Sequence, residues 1–329
     1  MPADSEIVVG VARQNRNELW RVMVPLIIVV ALAILPLVAG TYVGGIVTEI
    51  LVFSILAMSL NLLIGYTGLF SFGHAAFFSL GAYTLILLNT IFGLNAWIGL
   101  LAGVMVATVG AVAIGYLCIK VSGVSFFMLT LAFSQMLFSI AVKWRDVTGG
   151  SDGVGGLKRP FFFGLDMAAP LHTYYFALLV FLASFWAIKR LVASPLGHSF
   201  IGIRENEGRM RALGYPVQSY KLLSFVLGGM MAGLGGTAYA FLNGFVSPDA
   251  AHWSLSGEVL IMVILGGMGT LVGPVVGAAV YLLLKNIIST HTDHWMLIVG
   301  IIFIACVLLF RDGIYGSLSN LLARKWSRR

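Results

Sequence analysis

Charged residues are scarce in this sequence. Aspartate, glutamate, lysine and arginine make up only 10% of its 329 residues, whereas 59% are hydrophobic. A soluble domain usually carries about 25% charged residues, because its surface must be solvated. The composition therefore excludes an ordinary soluble domain and predicts a chain that buries apolar faces against lipid as well as against itself.

Cysteines are few, and clusters of metal ligands are lacking. Cys118 and Cys306 lie in or beside apolar segments, so we interpret them as small core residues and expect neither a disulfide nor a metal site. His291 and His294 have a suggestive spacing in a short polar connection, but metal binding is not expected there. We predict that the chain itself binds no metal and no cofactor.

The sequence also has no phosphate-binding loop. The motif G-x-x-x-x-G-K-[ST] is absent, so the chain is not expected to hydrolyse ATP, and a partner would have to supply any nucleotide site. Ser71 and His74 could touch if they lie on a helix, which raises the hypothesis of a membrane serine hydrolase. However, no G-x-S-x-G elbow surrounds Ser71 and no carboxylate is obvious nearby. We predict a non-catalytic protein.

Long apolar runs are what the sequence does contain. The runs are 22–39, 46–64, 74–92, 97–118, 125–142, 173–188, 222–241, 258–266, 274–285 and 295–310. A helix needs about 20 apolar residues to cross the hydrocarbon core, so the length accommodates about ten spans (8–10). We predict an all-α, polytopic membrane bundle with a transmembrane domain at 22–310 and tails at 1–21 and 311–329.

The net charge of +7 is concentrated at span ends and in a few loops, the bias that orients membrane proteins. The strongest basic loop is 189–221, and the C-terminal tail is basic as well. About six spans precede this loop and about four follow it. Because both numbers are even, the two termini and the loop fall on the same side of the membrane. We expect that side to be the cytoplasm.

Glycine is abundant, with 39 residues. The spacings Gly99/Gly103, Gly229/Gly233 and Gly269/Gly273/Gly277 suit close helix packing in lipid, although chance in a glycine-rich sequence explains any one of them equally well. Glycines also break the apolar pattern at 65–83 and 266–281. Paired breaks of this kind point to a transport pathway or an internal duplication; the alternative is two independent packing segments.

Ionisable residues are expected near span ends, at Glu49, Lys120, Glu258 and Lys285. The span interiors offer uncharged polar groups, at Asn61, Ser134 and Gln135. This distribution argues against a proton-coupled secondary transporter, because intramembrane relays usually use ionisable side chains. Sodium coupling through carbonyls and hydroxyls stays open. Asn61 and Gln135 line a pore or form hydrogen bonds between helices.

The loop 189–221 is the most informative segment. Residues 199–213 are predicted to form a short helix in which apolar and charged residues alternate, with Gly214 suited to its C-terminal cap and Pro216 ending it. Such a helix, held by two spans, suits docking into a groove of a soluble partner. An ordinary solvated loop that sets the topology is the alternative.

Four separated motifs resemble one known family. They are GIRENEGRMRALGYPVQSYKLLSFVLGGMMAGLGGTAYA at 202–240, GYTGLFSFGHAAFFSLGAY at 65–83, TGGSDGVGGL at 148–157 and SGEVLIMVILGGMGTLVGPVVGA at 256–278. Their order and content are similar to those of branched-chain amino-acid ABC transporter permeases, over nearly the whole span region. Within that family, the chain resembles the second of two paired permeases of the high-affinity leucine, isoleucine and valine uptake type.

The resemblance implies a machine in which this chain is one part. It implies an ABC importer permease fold, a heterodimer with a sister permease, two cytoplasmic ABC ATPases that bind ATP and magnesium, and a periplasmic or lipid-anchored solute-binding protein. It places the chain in the bacterial inner membrane and implies import of branched-chain or related neutral amino acids by alternating access. Permeases for urea or amides, and a stand-alone secondary transporter or channel, are the alternatives.

The resemblance also assigns roles to residues. The ATPase-coupling residues are Arg204, Glu205, Asn206, Glu207, Arg209, Ala212, Leu213 and Gly214. The translocation-pathway residues are Asn61, Ser71, Phe72, Gly73, His74 and Gln135, and those that dock the binding protein are Gly150, Ser151 and Asp152. The chain departs from many relatives at 208–211, where it has Gly-Arg-Met-Arg in place of small residues, so the resemblance implies the role of the loop and not which of these side chains contact the ATPase.

Overall fold

The computed structural model of the chain describes residues 27–159, 161–162, 165–167, 169–292, 294–310 and 313–317. The predicted N-terminal tail, 1–21, and most of the predicted C-terminal tail, 311–329, lie outside the described residues. Asp293, inside the short connection that holds His291 and His294, is also outside them.

Helices account for most of the described chain. They are α1 (Ile27–Val38), α2 (Gly40–Asn61), α3 (His74–Thr90), α4 (Ala96–Cys118), α5 (Val124–Lys143), α6 (Arg145–Thr148), α7 (Pro170–Val192), α8 (Pro195–Glu205), α9 (Glu207–Ala212), α10 (Val217–Asn243), α11 (Trp253–Gly266), α12 (Gly273–Ser289) and α13 (Trp295–Leu309). A π-helical segment, Leu62–Thr67, continues α2, and residues 313–317 are helical. The predicted all-α membrane-type fold is confirmed.

Each apolar run expected from the sequence corresponds to a helix. Within the described residues, five helices are long and apolar enough to cross a membrane: Gly40–Thr67, Ala96–Cys118, Val124–Lys143, Pro170–Val192 and Val217–Asn243. Other apolar helices are shorter, at Ile27–Val38, Trp253–Gly266, Gly273–Ser289 and Trp295–Cys306. The count of about ten spans stays a prediction, because loops at 68–73 and 267–272 divide the apolar sequence into shorter helices.

Helix α2 is the centre of the bundle. Every residue from Ile50 to Thr67 is buried, because α7, α10, α11 and α12 pack around this helix. A helix that is apolar on all sides is stable only in such surroundings. By contrast, α4 buries Ala107 and Ala111 on one face and exposes Leu101 and Met105 on the other, as a helix against lipid does.

Small residues allow α3, α4 and α10 to approach closely. A Cβ atom added at Gly233 of α10 would collide with Ala107 of α4, and one at Gly99 of α4 would lie 3.1 Å from the carbonyl oxygen of Leu85 in α3. A Cβ at Gly103 would likewise collide with Thr237 of α10. The predicted packing role of the glycine pairs in α4 and α10 is confirmed.

Two short antiparallel pairs lie among the connections. Strand β1 (Val154–Gly155) pairs with β4 (Phe245–Val246), and β2 (Phe161–Phe162) pairs with β3 (Leu165–Asp166). The first pair joins the loop after α6 to the loop after α10. Since α10 begins beside α9 and ends at β4, this pair lies at the end of the bundle opposite α8 and α9.

Candidate functional site: the α8–α9 surface and the helix breaks

The segment predicted as one helix over 199–213 is in fact two helices, α8 and α9. Asn206 separates them with an extended backbone (φ −159°, ψ 96°), and its Oδ1 accepts a hydrogen bond from the backbone N–H of Arg209 at 2.9 Å. Asparagine is a favoured N-cap because its side chain satisfies a free N–H of the first turn. Helix α9 therefore starts at its own N-cap, Asn206, whereas a continuous helix over 199–213 would have no cap at this position.

The predicted end of this segment is confirmed. Gly214 follows the last turn of α9 with a φ of +86°, a left-handed conformation that glycine adopts without strain. Its N–H bonds the carbonyl of Arg211 at 3.0 Å, and Tyr215 N–H bonds that of Met210 at 3.1 Å. Pro216 then precedes α10, so the chain turns sharply back into the bundle.

The surface of α8–α9 is largely exposed. No residue of α9 is buried, and Leu213 and Tyr215 expose 67% and 39% of their surface. Of the eight predicted coupling residues, only Glu207 is half-buried; the other seven are exposed. Exposed apolar groups among charges are typical of a protein-docking surface.

Glu207 connects this surface to α10. Its carboxylate pairs with Arg211 of the same helix at 2.8 Å and with Lys221 of α10 at 2.6 Å. The Lys221 side chain is only 10% exposed, whereas that of Arg211 is 66% exposed. The ion pair with Lys221 is thus a partly buried link between α9 and a helix of the bundle.

Arg204 makes a second link, from α8 to α2. Its guanidinium donates to the carbonyl oxygen of Gly65 within the π-helical segment, and its side chain also lies against Gly68 and Gly269. A π-helical turn leaves carbonyl groups outside the regular helical pattern, and such turns are frequent at functional sites. Arg204 therefore lies at a first junction, where α2, α8 and the α11–α12 loop meet.

Asn61 holds the same loop to α2. Its Oδ1 accepts from the N–H of Gly269 at 2.9 Å, and its Nδ2 donates to the carbonyl of Thr270 at 2.8 Å. The side chain is 2% exposed. Of the two roles left open by the sequence, this geometry favours hydrogen bonding between segments over lining a pore.

The other predicted pathway residues lie at a second junction, beside α5. The N–H of Phe72 bonds Thr130 Oγ1 at 3.1 Å, and the Phe72 and Phe127 rings are 4.7 Å apart. The segment 244–252 reaches the same region, because Ser134 Oγ bonds the Ala251 carbonyl at 3.0 Å. This third break, between α10 and α11, was missed by the sequence analysis; Gly244, Pro248 and Asp249 were its signal.

The N-termini of α3 and α11 meet at this second junction. The N–H of Ala75, in the first turn of α3, bonds Ser256 Oγ in the first turn of α11 at 3.0 Å. Two helices therefore start inside the bundle and run to opposite ends of it. Broken helices whose ends meet inside the bundle are the arrangement found at the binding sites of many transporters.

Ser71 and His74 do not form a nucleophile–base pair. Ser71 Oγ accepts from the Gly73 N–H at 3.2 Å, and the His74 ring is buried beside Gly228 of α10 and makes no hydrogen bond to Ser71. Gln135, one residue after Ser134 on α5, is half-buried, and its Oε1 has no hydrogen-bond partner among the described residues. The hydrolase alternative lacks its central contact.

The predicted binding-protein contacts form a tight turn. Gly150, Ser151 and Asp152 make one 3₁₀ turn, with Gly150 buried at φ +63° and the other two exposed. The β1–β4 pair follows directly, so the turn lies at the end of the bundle opposite α8–α9. The exposed Ser151 and Asp152 suit contact with a soluble protein.

One known protein family matches most of this chain. The family described as "Branched-chain amino acid transport system / permease component" matches residues 42–307, which includes both junctions and the α8–α9 surface. The chain belongs to this permease family. It is therefore a multi-pass membrane protein, and the resemblance inferred from its motifs is confirmed.

Several relatives resemble this permease in sequence. It is 30% identical over 279 residues to the high-affinity branched-chain amino acid transport system permease protein LivM of Escherichia coli K12, which is 78% of this chain and 65% of LivM. The LivM of Salmonella typhimurium gives the same values. The autoinducer 2 import system permease protein LsrC of Klebsiella pneumoniae is 32% identical over 149 residues, 44% of this chain and 40% of LsrC. No solved structure matches.

The permease also contains ionisable residues that the sequence analysis placed near span ends. Lys120 does follow the end of α4, but Glu49 lies ten residues into α2, and Lys285 lies thirteen into α12. Lys285 pairs with Glu258 of α11 at 3.1 Å, and both interact electrostatically with Glu49. For Glu49 the expectation was wrong, because α2 begins at Gly40, ahead of the apolar run at 46–64. No group of three metal-ligating side chains occurs among the described residues.

Proposed function

We propose that this chain is the membrane-spanning permease subunit of a binding-protein-dependent ABC importer. In this role it provides the path for a branched-chain or related neutral amino acid, and partner ATPases drive alternating access. The observation that carries the proposal is the exposed α8–α9 surface with two fixed links into the bundle, Arg204 to α2 and Lys221 to α10. An ordinary solvated loop that only sets the topology would not require these links to the bundle.

The links explain how an ATPase could move the bundle. An ATPase that pushes on α9 displaces Glu207 and, through Lys221, the first turns of α10. Displacement of α8 acts through Arg204 on the end of α2 and the α11–α12 loop, to which Asn61 is bonded. Since α11 runs from this loop to the second junction at Phe72 and Ser256, motion at the surface reaches the site where the broken helices meet.

The orientation follows from this assignment. The α8–α9 end faces the cytoplasm, and the N- and C-termini lie on the same side, in agreement with the basic charge of loop 189–221. The opposite end, with Gly150, Ser151 and Asp152, faces a periplasmic or lipid-anchored binding protein in a bacterial inner membrane. A sister permease completes the path as a heterodimer. ATP and magnesium are bound by the ATPases.

The choice of solute belongs mainly to the binding protein. LivM is named for branched-chain amino acids and LsrC for autoinducer 2, although both resemble this chain. Branched-chain amino acids are the proposed substrates because the family description and the LivM relatives share them. A permease for urea or amides is the alternative within the same family.

The decisive experiment measures ATPase binding to the permease. The variant Arg209→Glu/Leu213→Asp alters the exposed α9 surface without removing either link to the bundle. Arg145→Glu, an exposed charge reversal at the opposite end, is the matched control. We expect the first variant to lose both co-purification of the ATPases and ATP-dependent uptake into vesicles, and the control to keep co-purification of the ATPases. Full binding of the ATPases by the α9 variant would contradict the proposal.

A stand-alone ion-coupled transporter is the second candidate, and one observation favours it. Glu49, Glu258 and Lys285 come together within the helices, and intramembrane ionisable residues commonly serve ion relays. Uptake by the purified chain alone, driven by an ion gradient and lost in Glu258→Gln, would establish this function. Uptake that requires the ATPases and ATP would exclude it.

A further inference from the structure

The segment 244–252 connects α10 to α11 and starts at the end of the bundle opposite α8–α9. It is the break that the apolar pattern did not show, and none of the predicted site residues belongs to it. The segment begins beside the exposed turn Gly150–Asp152 and ends at the second junction, where α11 starts. Its contacts with the turn, with α5 and with α3 decide whether the turn can act on the second junction.

The turn is tightly closed and anchored to α5. Gly149 and Gly153 both have a φ of +72°, which glycine adopts without strain, and a Cβ atom at Gly149 would collide with the carbonyl oxygen of Gly153. Thr148, just before the turn, donates to the carbonyl oxygen of Ala141 near the end of α5 at 2.6 Å. A turn closed in this way moves as one unit when another protein presses on it.

Backbone pairing joins the turn to the segment. Val154 of β1 lies opposite Val246 of β4, and two residues further the N–H of Gly156 donates to the carbonyl oxygen of Gly244 at 3.2 Å. A Cβ atom at Gly153 would collide with the carbonyl oxygen of Val246, so the turn and β4 are in direct backbone contact. The side chain of Val246 is fully buried, which fixes β4 to the core of the bundle.

The segment is then held by α5 and α3 before it enters α11. Its 3₁₀ turn, Pro248–Ala251, packs against both helices, and the carbonyl oxygen of Ala251 accepts from Ser134 Oγ of α5 at 3.0 Å. Ten positions separate Val246 of the paired strand from Ser256, whose hydroxyl accepts from α3 at the second junction. The path from the exposed turn to the start of α11 is therefore short and in contact with the bundle at each step.

We propose that the segment 244–252 is a positioning element that carries docking of a binding protein from the turn to the N-terminus of α11. Coupling between distant sites travels through rigid elements joined by hydrogen bonds and packed side chains. The inference rests on the proposed function, which supplies a soluble partner at this end of the permease. It adds the route, and it makes Gly156, Val246 and Ser134 positioning residues for α11.

The experiment measures how far the solute-binding protein stimulates ATP hydrolysis by the reconstituted complex. Gly156→Pro removes the N–H that bonds Gly244, and a φ of +92° is out of reach for proline, so the β1–β4 pair should open at this end. Gly93→Pro is the matched control, because Gly93 also has a positive φ, +65°, but lies in the exposed α3–α4 loop outside the pair. We expect stimulation to be lost in Gly156→Pro and kept in Gly93→Pro. Affinity for the binding protein and basal ATP hydrolysis should stay at parent values in both, a pattern that general destabilisation would not give.

A disulfide tests whether the lost pairing is the cause. Val154→Cys and Val246→Cys are directly opposed, and the Cα atoms of opposed residues in antiparallel strands are about 4.5–5.5 Å apart, within the range that a disulfide bridges. Both are added to Gly156→Pro together with Cys306→Ser, while Cys118 is retained because it is fully buried. Oxidation should restore stimulation, and reduction should remove it again. Equal stimulation in the oxidised and reduced forms overturns the proposal.

A milder variant covers the case in which Gly156→Pro does not fold. Ser134→Ala removes the hydrogen bond to the Ala251 carbonyl, and one such bond changes an equilibrium that it controls by about two- to tenfold. Stimulation should fall by that factor, with the affinity for the binding protein unchanged. Ser79→Ala is the matched control, since this buried hydroxyl donates to Ala76 within its own helix. Parent-level stimulation in Ser134→Ala overturns the proposal.

The outcomes separate this inference from the proposed function. A parent complex in which the binding protein does not stimulate ATP hydrolysis has no signal for the segment to carry, which overturns the inference. If uptake by that complex is also independent of the binding protein, the proposed function fails as well. A stimulated parent with full stimulation in Gly156→Pro overturns only the route through 244–252 and leaves the importer function standing.

Discussion

The guanidinium of Arg204, in the last turn of α8, donates a hydrogen bond to the carbonyl oxygen of Gly65 in the π-helical end of α2. The two residues are 139 positions apart in the chain. Their contact joins the exposed α8–α9 surface to the most buried helix of the bundle. A rigid connection of this kind is what transmission of motion from a docked ATPase requires.

Arg204→Ala is expected to uncouple transport from ATP hydrolysis. A hydrogen bond from a charged group contributes about 1.5–3 kcal/mol, which corresponds to at least about a tenfold change in an equilibrium that it controls. Uptake per ATP hydrolysed by the reconstituted complex should therefore fall strongly, while the ATPases still bind. Arg209→Ala, on the exposed surface, should instead weaken ATPase binding. Wild-type uptake per ATP in Arg204→Ala would refute the role of this contact.

Asn61→Leu is expected to destabilise the α11–α12 loop. The substitution leaves the Gly269 N–H and the Thr270 carbonyl without their partner, and an unsatisfied buried polar group costs about 1–3 kcal/mol. Because these two residues are only half-buried, a cost near the lower value is expected. Asn243→Ala, which removes one exposed hydrogen bond, is the control. Thermal unfolding of both purified variants checks the difference, and equal midpoints would contradict it.

The sequence predicts the helices of this permease well. Apolar runs mark each membrane helix because lipid and the core both require apolar side chains, and Gly214 marks the end of α9 because its backbone is left-handed. The glycine-rich breaks at 65–83 and 266–281 are found as well. These features depend on residues close together in the chain.

Contacts between distant segments are not predictable in this way. The pairing of Arg204 with Gly65, and of Asn61 with Gly269 and Thr270, depends on how helices pack, and a single sequence carries no signal for it. The split of the predicted helix at Asn206 also escaped, because asparagine is common both inside loops and at helix caps. The position of Glu49 inside α2 was missed because the start of α2 was placed too late.

Glu207→Gln is expected to destabilise the protein more than Arg211→Met. Both ion pairs of Glu207 are lost, but the partner that matters is Lys221, whose side chain is 10% exposed and would keep an uncompensated charge. The pair with Arg211 is exposed and contributes about 0.3–0.5 kcal/mol.

A double variant tests this explanation of the Glu207→Gln effect. Adding Lys221→Met removes the uncompensated ammonium, so the double variant should recover part of the lost stability. Thermal unfolding of the two single variants and of the double variant provides the comparison. A double variant less stable than Glu207→Gln alone would show that Lys221 contributes through packing of its aliphatic chain instead.

Gly236→Ala is expected to disturb the contact between α3 and α10. A Cβ at this position would collide with the backbone carbonyl of Phe78, and backbone atoms of a packed helix cannot move aside as a flexible side chain can. Overpacking of this kind costs about 1–3 kcal/mol. Gly300→Ala, in the middle of α13, is the matched control, since nothing lies within 4 Å of its added Cβ. In a helix interior alanine is favoured over glycine by about 0.8–1 kcal/mol, so the control should be neutral or more stable. The unfolding midpoint should therefore fall in Gly236→Ala and stay the same or rise in Gly300→Ala. A Gly236→Ala protein as stable as the parent would show that α3 and α10 can separate without cost.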